Sequence, residues 1–207
     1  MRLAGLVVPM VAAACAGQAQ APGRPPNGAS SPERAPSEVA FGEQGWGERA
    51  VPSQVALVRL PDAAAWRLDE RGTFAEARHA ASGSRLVVRA WRAPRIVAPA
   101  ACEREARLAR PDLPPSEGEG VFERRRGVAP SGWDVVVTAG ARPATGGAVE
   151  GWLVASAATV GRCLVVSLTT VARGPRAEAA IGDRLALFSA GTIDTLAVRT
   201  PEDRARP

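Results

Sequence analysis

Two long apolar segments, Ala148–Thr159 and Arg162–Val171, are separated only by Val160-Gly161. Strand-like runs joined by so short a glycine-containing link return on themselves as an antiparallel hairpin. Their length makes this the longest hairpin of the chain and the central part of its sheet. The remaining elements have to be arranged around it.

Shorter strands are predicted on both sides. Val55–Leu60 is an apolar strand closed by Pro61-Asp62, and another begins near Ala65 and carries Trp66 and Leu68. Thr73–Ala80 and Arg85–Trp91 flank Ser82-Gly83-Ser84, a hairpin signal. In Arg85–Trp91, Leu86, Val88 and Ala90 alternate with Arg85, Val87 and Arg89, so one face is expected to be buried. Val121–Arg125 and Trp133–Ala139 complete the strand set. Between the two groups Pro99 opens a helix with Glu103 and Glu105 early and Arg107 and Arg110 late, as the helix dipole favours, and Pro111 ends it. Cys102, Ala106 and Ala109 share one stripe of that helix, which turns the cysteine inward. A closing helix opens at Gly174-Pro175, with Ile181, Leu185, Phe188, Thr192 and Leu196 as its inward stripe. This order predicts an α+β fold over residues 54–198, an antiparallel sheet with two helices packed on it, followed by a polar tail at 199–207.

The amino-terminal end carries a different signal. Arg2 gives a positive start, Leu3–Ala14 an apolar run, and Ala12-Ala13-Ala14 the small residues a signal peptidase requires, followed directly by Cys15. The pattern resembles the lipobox of bacterial lipoproteins, although Ala12 stands where leucine is commonest. The resemblance implies a signal peptide over 1–14, removal of that segment, and a lipid on the Cys15 sulfur. Ordinary secretion, with cleavage after Ala14 or Ala16, is the competing reading. Twelve apolar residues interrupted by Gly5 and Pro9 are too few to span a bilayer, so membrane attachment would be through lipid. Ala16 lacks the aspartate that retains some lipoproteins at the inner membrane. The expected address is therefore the cell envelope, at the outer membrane facing the periplasm.

Residues 15–53 then read as a disordered linker, with Pro22, Pro25, Pro26, Pro32 and Pro36 among glycines and serines. As a coil it would span about 30 Å. Phe41 and Trp46 are exceptions, expected to dock on the following domain or on a partner. The order of elements over 54–198 resembles the PsbP-like sandwich domains of small bacterial lipoproteins. That resemblance implies a fold and brings no functional residue with it.

The net charge of +5 suggests an acidic partner, but every basic residue is arginine and these are interleaved with Glu and Asp along the chain. No nucleic acid is expected. Arg124-Arg125-Arg126, preceded by Glu123, reads as a solvated strand end rather than a phosphate site.

With Cys15 lipidated, Cys102 and Cys163 remain as an even pair. In an oxidising compartment the arithmetic favours a disulfide clamping helix to sheet, stabilising the domain by about 4 kcal/mol. Free buried thiols and a redox or metal pair are the alternatives, and the spacing is not that of a redox motif.

No catalytic set is visible. The single histidine, His79, sits at a strand end where a ring packed on neighbours is the ordinary role. There is no Gly-x-Ser-x-Gly elbow to supply a nucleophile. One histidine and two distant cysteines give no zinc spacing, and Glu117 and Glu119 alone do not make a calcium loop. Neither metal nor other cofactor is expected. Trp66, Trp91, Trp133 and Trp152 read as core, or as the lining of a ligand groove, with Gly132 and Gly151 beside two of them. Two functions follow. The first is a membrane-anchored envelope lipoprotein with a non-catalytic binding or structural domain, its partners being membrane lipid through acylated Cys15 and an envelope protein. The second is an envelope hydrolase using carboxylates or His79.

Overall fold

The computed structural model describes residues 41–198, apart from 43, 52–55, 72 and 94. The expected signal segment 1–14, Cys15, the expected linker up to residue 40 and the tail 199–207 lie outside the described residues.

The central hairpin forms as its sequence requires. Its strands β8 (Ala148–Thr159) and β9 (Arg162–Arg173) pair along their whole length, from Ala148 opposite Arg173 to Thr159 opposite Arg162. On one side, β9 pairs with β5 (Ser84–Arg92), then come β4 (Phe74–His79) and β3 (Trp66–Arg71). On the other side, β8 pairs with β7 (Asp134–Ala144) and then β6 (Val121–Val128). The result is a seven-stranded antiparallel sheet, ordered β3-β4-β5-β9-β8-β7-β6.

Successive side chains on a strand point to opposite faces, so a central strand with apolar residues at every position needs cover on both sides. Each face receives one helix. Helix α1 (Pro99–Ala109) packs with Cys102 and Ala106 against Trp152, Val154, Ala158, Cys163 and Val165. Helix α2 (Ala177–Phe188) packs with Ile181, Leu185 and Phe188 against Leu153, Ala155, Leu164, Val166 and Leu168. Val87, expected on an open face, is therefore buried beside Leu86 and Val88. Ala109, read as part of the inward stripe of α1, is exposed.

A second, smaller sheet covers the α2 side. It has the order β1-β2-β10, built from β1 (Trp46–Val51), β2 (Ala56–Pro61) and β10 (Ala197–Val198). Here the structure corrects the sequence reading in three places. Trp46–Val51, assigned to the disordered linker, is a strand antiparallel to β2. The closing helix stops at Phe188, turns through one π-type turn at Ser189–Ile193, and returns as β10 beside β2. The fold class is accordingly not the PsbP-like α+β sandwich with two helices on one sheet. Among the described residues, ten strands in two sheets face two α-helices of 11 and 12 residues, and strands dominate. The physical reason lies in the α2 exit. Gly191 has no side chain, and the Trp46 indole occupies the space a Cβ would fill, 2.0–2.6 Å from that position. Trp46 therefore seats β1 on the π-type turn, and the pair converts two segments of unpromising composition into sheet.

Candidate functional site

Among the described residues, a buried polar cluster forms around His79, at the end of β4. Asp62 follows β2 with φ of 50°, a left-handed backbone that aspartate tolerates better than most residues. Its carboxylate accepts the backbone N–H groups of Gly42 at 2.6 Å and Gln44 at 2.7 Å, and its own N–H donates to the Gly45 carbonyl at 2.8 Å. Asp62 thus fastens the turn at Phe41–Gly45 to the sheet. His79 Nε2 lies 3.8 Å from Asp62 Oδ2. On the other side of the ring, Nδ1 lies 2.8 Å from Ser82 Oγ and accepts the Ser82 backbone N–H at 3.2 Å. An accepting Nδ1 assigns the ring proton of the neutral tautomer to Nε2, toward Asp62.

The chain of bonds continues inward. Ser82 Oγ lies 2.7 Å from Ser84 Oγ, and Ser84 Oγ 2.9 Å from Thr170 Oγ1 of β9. Arg184 of α2 donates through Nη1 to Ser82 O, Thr170 Oγ1 and Val171 O at 3.1, 3.0 and 3.2 Å. Burial pushes the His79 imidazole below its ordinary pKa, opposed by the Asp62 carboxylate and reinforced by Arg184. Burial likewise lowers the pKa of the Arg184 guanidinium. Two aromatic rings close the cluster. Phe41 meets His79 edge-on at 5.6 Å and Trp66 at 6.0 Å, while Trp66 lies 5.3 Å from His79 and donates its indole N–H to Pro61 O.

Asp62, His79 and Ser82 are the residue types of a hydrolytic triad, and the structure brings them together. What they can do is set by access. Ser82 is 0% exposed, its hydroxyl is held between His79 and Ser84, and its own backbone N–H occupies the imidazole nitrogen that would have to accept its proton. No reacting carbonyl can reach that oxygen in this conformation. The arrangement works as a clasp joining the Phe41–Gly45 turn, β4, the β4–β5 turn, β9 and α2. Of its members, sequence reading singled out His79, used Ser82 and Ser84 as turn residues and Asp62 as a strand stop, and passed over Thr170 and Arg184. An arginine at a helix position reads as solvated, and Arg184 is only 3% exposed.

Cys102 of α1 and Cys163 of β9 form a disulfide, with Cα atoms 5.5 Å apart, inside the apolar layer between helix and sheet. The four tryptophans do not converge. Trp66 and Trp133 belong to the α2-side core, Trp91 and Trp152 to the α1 side. Trp152 does lie over glycine backbone, but over Gly140 across the strand pair and Gly120, not over Gly151. Gly151 faces the other way and admits Ile181. Each arginine of the Arg124–Arg126 run has an acidic partner: Glu117, Asp194 with Glu123, and Asp134 respectively.

A pair of carboxylates that share one arginine is also tied up. Glu76 and Asp112 both bind Arg110, at 2.5 and 2.8 Å. The Asp112 pKa is lowered first by its hydrogen bond from Arg110. For Glu76, desolvation pushes upward, but bonds from Arg110 and Arg85 outweigh it and the net shift is downward. A general acid needs the opposite shift. Between β6 and α2 lies a groove of about 280 Å³, lined by Phe122, Val137, Leu153 and Leu185. Arg125 spans its mouth to Ser189 and Asp194. That volume falls just below the range of about 300–1,000 Å³ usual for small-molecule sites. Among the described residues no group of three or more potential metal ligands occurs, and no helix is long and apolar enough to cross a membrane.

No family model matches the chain, and neither does any curated protein. Solved structures show some likeness. A crystal structure of a protein from Bacteroides thetaiotaomicron VPI-5482 aligns over 75% of this chain and 49% of its own, at 13% identity and a TM-score of 0.45. The chain spans about half the length of that protein, and likeness at this level carries no argument.

Proposed function

We propose that the chain is a lipoprotein of the bacterial cell envelope, held to the outer membrane through acylated Cys15, with the described domain as a non-catalytic binding or supporting module. The observation that supports this is the Cys102–Cys163 bond. The sequence holds three cysteines, and this bond takes two of them, so Cys15 is the one left over, directly behind Ala12-Ala13-Ala14. Structural disulfides belong to oxidising compartments, and an exported chain with one cysteine placed behind small residues has a ready use for it.

An envelope hydrolase is the second reading, favoured by the 2.8 Å approach of His79 to Ser82. It ranks second because Ser82 has no path to a substrate.

The test is Cys15→Ser expressed in a bacterial host fed an alkyne-tagged palmitate. The parent is expected to take up the tag and to pellet with membranes. The variant should lose both properties. A parent that stays soluble without lipid mass, or a variant that retains the label, overturns the proposal. Hydrolysis of a general ester substrate that Ser82→Ala abolishes would move the second reading to first.

A further inference from the structure

The end of the large sheet opposite the His79 cluster has an unusual surface. There β5 ends at Arg92, opposite Arg162 of β9, and the Ala93 N–H donates to Gly161 O at 2.9 Å, fixing the β5–α1 loop to the β8–β9 turn. The two loops present Ile96 and Val160, which are 77% and 76% exposed. Arg92 and Arg95 are exposed beside them and Arg162 is half-buried. None of the three arginines forms an ion pair among the described residues, whereas Arg85, Arg89, Arg107, Arg110, Arg142 and the Arg124–Arg126 run do. Asp134, which lies along the same end of the sheet, is bound by Arg126, and Asp69 sits further back opposite Glu76. Helix α1 begins after the same loop, so the positive end of its dipole adds to the field.

Two protruding aliphatic side chains ringed by unneutralised arginines match the surface of an anionic bilayer. The aliphatics enter the headgroup boundary and each guanidinium meets phosphate. We infer that this edge, with Ile96, Val160, Arg92, Arg95 and Arg162, docks the domain on an anionic lipid surface. The inference deepens the proposed function by naming the surface, and rests on it for the compartment alone. Geometry permits both contacts at once. The stretch from Cys15 to Phe41 reaches at most about 90 Å when fully extended, against roughly 30 Å for the length of β5.

The experiment uses the full chain carrying Cys15→Ser, so that no acyl group contributes, and measures partitioning onto vesicles with 30 mol% phosphatidylglycerol in phosphatidylcholine. Failure of the lipid anchor is read separately by palmitate labelling of the parent, so the two ideas stand or fall apart. At about 1 kcal/mol for each arginine near an anionic surface, Arg92→Gln/Arg95→Gln/Arg162→Gln should weaken binding about a hundredfold. Ile96→Ser/Val160→Ser should weaken it independently. Arg67→Gln/Arg78→Gln/Arg173→Gln removes the same charge elsewhere and should cost less than a fifth of that loss. All substituted positions but Arg162 are exposed, and unchanged far-ultraviolet circular dichroism checks the fold. Equal binding to pure phosphatidylcholine, equal losses for edge and control triples, or tighter binding to soluble polyglutamate than to vesicles would each overturn the inference. The last result would assign the edge to an acidic protein.

Discussion

Replacing both bridge cysteines, Cys102→Ala/Cys163→Ala, removes a covalent tie between α1 and β9 across a sequence separation of 61. Chain entropy alone makes such a loop worth about 4 kcal/mol. The sulfurs also fill space: Cys102 and Cys163 are 0% and 2% exposed among Phe74, Val87, Leu113, Trp152 and Val165. Losing each adds roughly 1 kcal/mol as unfilled volume. The expected total is about 6 kcal/mol, which in a domain of this size lowers Tm by roughly 12–24 °C. The assay is thermal unfolding followed by circular dichroism, on the parent oxidised, the parent reduced after unfolding and refolding, and the double variant. The reduced parent keeps its sulfurs but not the tie, so its Tm should lie between the other two, roughly 8–16 °C below the oxidised form. Because the bond is buried, a reductant added to folded protein should act only as fast as the domain opens. A double variant melting within about 4 °C of the oxidised parent would refute the reasoning.

Three further outcomes are expected. The His79 pKa is depressed in the folded protein, so the unfolded chain takes up a proton first as pH falls; stability is full above the ordinary value of 6.5 and declines below it toward the folded pKa. Urea midpoints from pH 7.5 to 5 should show this slope, His79→Gln should flatten it, and a parent whose midpoint is flat across 6.5 would contradict it. Arg184→Leu takes the donor away from Ser82 O, Thr170 Oγ1 and Val171 O together, with an expected loss of about 3 kcal/mol in urea unfolding; a loss below about 1 kcal/mol would mean the clasp is not stabilising. Gly191→Ala drives a methyl into the Trp46 indole and should destabilise the small sheet by about 1–3 kcal/mol. Faster tryptic cleavage after Arg49 would report it, and an unchanged rate would show that Trp46 does not hold β1 down.

What the sequence made legible follows the range of the forces involved. The hairpin β8–β9 and the strand β5 are written in local alternation and a two-residue turn, and α1 in its Pro99 start and Pro111 stop. Cys102 could be placed inward from its stripe, so the disulfide was arithmetic rather than luck. Of the small sheet only β2 was legible, because β1 is a strand only when β2 pairs with it and Gly191 receives Trp46. Neither fact is local. Similarly, Gly151-Trp152 suggested a ring on its neighbouring glycine, but adjacent strand residues face opposite ways, and the glycine beneath Trp152 is Gly140 on the next strand. The His79 cluster was the least visible part. Its members lie as far apart as Asp62 and Arg184, and polar residues carry no periodic signal of burial.

The terminal position of β6 gives the arginine run Arg124–Arg126 a meaning that its charge alone does not. An outermost strand offers unpaired amide and carbonyl groups to any passing chain, and natural sheets guard such borders with charged side chains. Here three consecutive guanidiniums, each tethered to a carboxylate of its own molecule, occupy that border. A second molecule that tried to extend the sheet would have to break those pairs and bring two rows of like charge together. At that border the sheet stops growing at seven strands.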